Sequence, residues 1–282
     1  MLADAFAAER LRFLRARGTI FWSVLFVPLV GVALAIIQGL FMRGLMNRVD
    51  ARPPTRAVYL LNQAVESVSS SNFFLIQVFF LIAAAAILAG DYRWETWRLL
   101  TPRNTRANLM LGKLATFGLV AAAGLVLLAV SGVLSGLVAA GMTGGNVAWA
   151  RDGGELIKPL AGVFVAAWLE MMVLGALAAV VAVSTRAGLA TILVPVALWI
   201  VQAFILGQAS GRFADPMAPP LPWLIGSPAL AADMLKAALQ PASPGFTPPT
   251  VWPIALAGLT GWIAGLTGLA VWLFGRQDLT RE

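Results

Sequence analysis

The sequence contains no histidine and no cysteine, only two tyrosines, and little charge: 12% of its 282 residues are Asp, Glu, Lys or Arg. Without imidazole or thiolate there is no zinc site of the usual kind, no haem ligation through either group, no disulfide and no thiol or serine–histidine catalysis. The lack of cysteine says nothing about compartment, because a chain buried in a bilayer needs no covalent staple. A GxxxxGK[ST] phosphate loop is also missing: the one Gly-Lys pair, Gly112 and Lys113, is followed by Leu114 and lacks the upstream glycine. The chain therefore cannot hydrolyse ATP by that route, and no metal or cofactor is expected.

What is abundant is apolar surface, at 60% of residues with a mean hydropathy of +0.84. That composition excludes an ordinary soluble domain and identifies an all-α, polytopic integral membrane protein. The net charge of +7 would suggest nucleic acid in a soluble chain; here membrane topology explains it, and no nucleic-acid partner is expected.

A bilayer core about 30 Å thick needs roughly 20 apolar residues in a helix. Six such windows occur, at about 19–41, 72–90, 114–140, 160–183, 187–206 and 254–274. Before them, residues 1–18 read as an interfacial helix, with Leu2, Phe6 and Phe13 on one face and Asp4, Arg12 and Arg15 opposite. Six spans put both termini on one side. The loops on that side hold twelve Lys and Arg against eight on the other, so the positive-inside rule makes both termini cytoplasmic, in a cell inner (plasma) membrane. The outer side then carries a loop from 42 to 71, a Gly-rich turn, and a Pro-rich segment at 207–253. Within that last segment PLPWLIGSPALAADMLKAAL is too short to cross and reads as a re-entrant or interfacial element.

The cytoplasmic segment 91–113 holds seven of the 33 charges: Asp91, Arg93, Glu95, Arg98, Arg103, Arg106 and Lys113. Trp94, Trp97 and Leu100 recur every three residues until Pro102, the pattern of a short amphipathic helix at the membrane surface. Tryptophans at headgroup level and arginines fixing topology would account for it as an ordinary positive loop. The order of residues adds something more specific. Asp91 at the end of a span, Thr96, the Leu99–Leu100 pair, Pro102, Arg103 or Arg106, and Gly112–Lys113 opening the next span resemble the type 2 ABC transporter permease family, as does the closing FGRQDLTRE. The chain departs from that family in having Glu95 where Gly commonly precedes the Thr. The resemblance implies a cytoplasmic coupling helix after span two that docks on separate ABC ATPase subunits, and a second permease copy or paralogue completing a dimeric translocation path. An exporter is the activity it suggests.

Within the spans the one formal charge is Glu170, near the middle of the fourth. An ionised carboxylate at that depth costs about 2.5–3.5 kcal/mol or more. No Lys or Arg lies in any span to pair with it, so two readings stand: a contact in a translocation path, or a neutral carboxyl hydrogen-bonded to Gln38, Gln77 or Gln202. A membrane enzyme using Glu170 as acid or base is a competing function, as is a non-transporting scaffold; a single carboxylate without a second catalytic group makes poor chemistry. Pro28 and Pro195 should kink spans one and five. Small residues at Ala257, Gly261 and Gly265 in span six, and at Gly132 and Gly136 in span three, should let helices pack closely within the subunit.

Overall fold

The computed structural model describes residues 2–49, 57–93, 104–150, 157–240 and 247–277. Twelve α-helices can be followed through them. Helix α1 (Leu2–Arg15) precedes the first span, built from α2 (Arg17–Ile20), a π-helical turn (Phe21–Leu25) and α3 (Phe26–Val49). Then come α4 (Leu60–Ser69), α5 (Phe74–Leu88), α6 (Gly90–Arg93), α7 (Arg106–Thr143), α8 (Ile157–Thr185), α9 (Gly188–Ser210), α10 (Leu221–Gly226), α11 (Pro228–Leu239) and α12 (Trp252–Arg276). Five continuous helices are long and apolar enough to span a membrane. A sixth span exists if the bent pair α4–α5 is one. A two-residue parallel bridge, Val58–Tyr59 with Val147–Ala148, is the β-structure among the described residues.

Local chemistry explains where the helices start and break. Thr105 caps α7 by accepting from the Asn108 amide at 3.3 Å, and the helix ends at Gly144, whose φ of +68° a side chain would resist. Ser227 caps α11 in the same way, with Pro228 in the first turn where no amide is needed. Pro28 has no N–H for the Val24 carbonyl and its ring crowds that group. The chain widens there into the π turn, so the proline is absorbed as a change of helical pitch. Pro195 lies inside α9, which continues through it.

The second span differs from its expected form. Residues 72–90 read as one helix, but α5 has 15 residues, about 22 Å, and is too short to cross alone. It is preceded by a 3₁₀ turn, Ser70–Asn72, and by α4 at 72° to it. Ser70 donates to the Ser67 carbonyl at 2.7 Å, the local side-chain bond by which serine competes with a continuing helix. The expected loop at 42–71 is thus largely helix: α3 runs on to Val49, and α4 buries Leu60, Leu61, Ala64, Val65 and Val68.

Helix α8 is the centre of the bundle, touching α4, α5, α7, α9, α11 and α12. In its most apolar window 72% of residues are buried, against 11% in the first span. Its all-round apolar, Ala-rich sequence suits a helix with neighbours on every side. Close approach is made at glycine: a Cβ on Gly175 would sit 2.3 Å from the Phe117 ring of α7, and one on Gly132 would sit 2.4 Å from the Gln63 carbonyl of α4. Gly132 and Gly136 therefore pack within the subunit, as expected. The stripe in span six does not. Gly261 and Gly265 meet nothing within 4 Å, and with Ala257 they line an open groove of about 570 Å³. The segment before span six contains α10 and α11, which pack on α12 and on each other, while α11 also reaches α8.

Candidate functional site: two buried ion clusters

Glu170 is fully buried in α8, and it has a formal partner. Lys236, on α11, meets Glu170 Oε2 directly. The same ammonium donates to Ser71 Oγ at 2.9 Å and to the Ser69 carbonyl at 3.3 Å, which uses all three of its protons. Ser71 in turn donates to Glu170 Oε2 at 3.1 Å, and Gln77 donates to Oε1 at 3.2 Å. One closed network thus joins the short helix α11, the break between α4 and α5, and the middle of α8. Next to it, Asn72 donates to Asp233 at 3.1 Å and Gln240 to Ser69 Oγ at 2.6 Å.

The expectation that Glu170 lacks a cation is therefore corrected. It counted only residues within spans, whereas Lys236 comes from a helix that is too short to be one yet is itself buried. Of the three glutamines, Gln77 is a partner. Gln202 instead accepts from Ser227 at 3.2 Å, and Gln38 is exposed. Paired with Lys236, Ser71 and Gln77, Glu170 is a joint between elements.

The second cluster is formed by α1 and the two ends of the segment 91–113. Asp91 and Lys113 are both fully buried and lie 2.6 Å apart. Lys113 also donates to Glu9 at 2.9 Å and to the Ile87 carbonyl at 2.7 Å, while Arg12 pairs with Asp91. Helix α1 can come this close because Gly112 has no side chain; a Cβ there would lie 3.1 Å from Ala5 Cβ and from the Phe6 amide. The buried face of α1 is consequently Ala5, Glu9 and Phe13, and Leu2, expected on the apolar side, is exposed. Sequence periodicity missed that Glu9 and Arg12 face protein because it ranks side chains by polarity and cannot see a buried counter-charge.

Arg106 belongs to a third contact beside this cluster. Its guanidinium donates to the carbonyls of Phe274 and Gly275 at 2.9 Å and of Gln277 at 2.7 Å, where the end of α12 leaves acceptors without intrahelical partners. Tyr92 donates to Gln277 Oε1 at 3.0 Å, and Gln277 donates to the Val183 carbonyl at the end of α8. Burial pushes the Tyr92 hydroxyl up to about 12, so it remains a donor well above neutral pH. Residues 12, 91, 106, 183 and 277 thus converge on one end of the bundle, and the first and last described helices reach the same face. Of the candidate coupling residues, Arg93 closes α6, while Glu95, Thr96, Arg98, Pro102 and Arg103 lie outside the described residues. No family model and no curated protein matches the chain.

Proposed function

We propose that the chain is the membrane-spanning permease subunit of an ATP-driven transporter of the type 2 ABC kind, an exporter. In this reading two copies, or one copy and a paralogue, form the translocation path with cytoplasmic ATPase subunits in the inner membrane. The motif from Asp91 to Lys113 carries the resemblance, and the mechanical setting of that segment is the observation that supports the reading. Its ends are not loose. Asp91 and Lys113 are locked to each other and to α1, Tyr92 is tied to Gln277, and Arg106 holds the end of α12. A push on residues 94–103 from a closing ATPase would reach α1, α5, α7, α8 and α12 together, as rigid-body motion requires. Asp91, Lys113 and Arg106 then act as anchors of the coupling segment, and Glu95 and Arg98 would touch the partner.

Co-expression with a candidate ABC ATPase from the same genome and affinity purification of the permease test the reading. The double variant Glu95→Arg with Arg98→Glu should lose the ATPase and its transport while inserting normally. Full retention of the ATPase by that variant, or a permease that never captures an ATPase, would refute it. Cysteines at Asn104 and at exposed Ala214, labelled by an impermeant reagent from each side, test the orientation. Asn104 should react from the cytoplasm and Ala214 from outside.

A further inference from the structure

Beside the Glu170–Lys236 joint, a cleft of about 560 Å³ opens between α9, α11 and the start of α5. Its volume suits a small organic molecule. Phe73, Phe74 and Trp199 contribute aromatic walls, and Asp233 with Asn72 supplies the polar end. Asp233 stands one helical turn before Lys236 on α11, yet that ammonium is committed to Glu170, Ser71 and the Ser69 carbonyl. The donor that Asp233 has among the described residues is the neutral amide of Asn72. Two carboxylates thus stand beside one ammonium, which with both ionised leaves a net charge of −1 at the edge of an apolar cleft. Such a charge is poorly solvated and favours a cation. Aromatic faces add attraction of the same sign.

We propose that this cleft binds a lipophilic organic cation, an ammonium or phosphonium on an apolar body, with its charge against Asp233 and its body against Trp199, Phe73 and Phe74. The binding needs only this chain and stands apart from the ATP-driven reading. Phe73 and Phe74 are exposed, so a bilayer-dissolved cation has a side entrance.

The probe is radiolabelled tetraphenylphosphonium, equilibrated with the purified protein in lipid nanodiscs and corrected with empty nanodiscs. Saturable binding is expected. Asp233→Asn keeps the oxygen that accepts from Asn72 and should weaken binding at least about tenfold, which corresponds to ~1.4 kcal/mol. Phe74→Ala should weaken it about threefold, and Asp233→Glu should preserve it. Triphenylphosphine oxide, of similar aromatic bulk and no charge, should not displace the phosphonium, whereas unlabelled methyltriphenylphosphonium should. Absence of saturable binding, an undiminished affinity in Asp233→Asn, or equal competition by the neutral oxide would each overturn the proposal. The competition uses the unmodified protein, so the test survives even if a variant fails to fold.

Discussion

Removing the ammonium of Lys236 tests the central joint most directly. Lys236→Met fills about the same volume without charge. The Glu170 carboxylate, fully buried, is then left with the Ser71 hydroxyl and the Gln77 amide as donors, neither of which neutralises it. Stranding one member of a buried pair costs about 3–5 kcal/mol. Against a total stability of roughly 5–15 kcal/mol that is a third or more of what holds a typical domain together. Glu170→Gln removes the direct counter-charge of the ammonium instead and should cost a comparable amount. The double variant Glu170→Gln with Lys236→Met removes both charges. Its cost should fall short of the two single costs combined by at least about 2 kcal/mol. Equilibrium unfolding in mixed micelles, followed by tryptophan fluorescence, supplies the cycle. If both single variants lie within about 0.5 kcal/mol of the parent, or if the double variant is additive, the joint has no energetic coupling and the reasoning fails.

Gly112→Val should drive α1 off α7, because its Cβ would have to pass the backbone of Phe6; faster trypsin cleavage after Arg15 and Arg17 in detergent would report it. Arg106→Ala strips three carbonyls at the end of α12 of their donor and should cost about 1–3 kcal/mol, visible as faster hydrogen exchange over residues 270–276. The Tyr92 contact should weaken only in strong alkali. Its hydroxyl ionises near 10 when unfolded and near 12 in place, so the unfolded state releases its proton first and stability falls as pH rises through that window. Tyr92→Phe should abolish that alkaline component while leaving the neutral-pH spectrum unchanged.

Membrane residence and five of the span positions were legible in the sequence, because crossing a bilayer demands about 20 uncharged apolar residues in a row and nothing else in the chain imitates that. Glu170 stood out for the same reason: one carboxylate in an otherwise chargeless stretch. Gln77 was a nameable partner, since a buried carboxyl needs donors. The cation was not. Lys236 sits 66 residues away in a helix whose local pattern gives no hint that it folds against α8. A single lysine in PALAADMLKAAL reads as a solvated face until tertiary packing buries it. Likewise, Asp91, Arg106 and Lys113 were recognisable as a charged group between two spans, but local sequence cannot tell a charge aimed at a partner from one aimed at the chain's own N-terminal helix. Hydropathy is a property of short windows, and it marked the helices long and apolar enough to cross a membrane. Which charges meet depends on contacts between residues far apart in sequence, and only the packed bundle decided that Glu170 has a cation and that α1 is clamped to the base of α7.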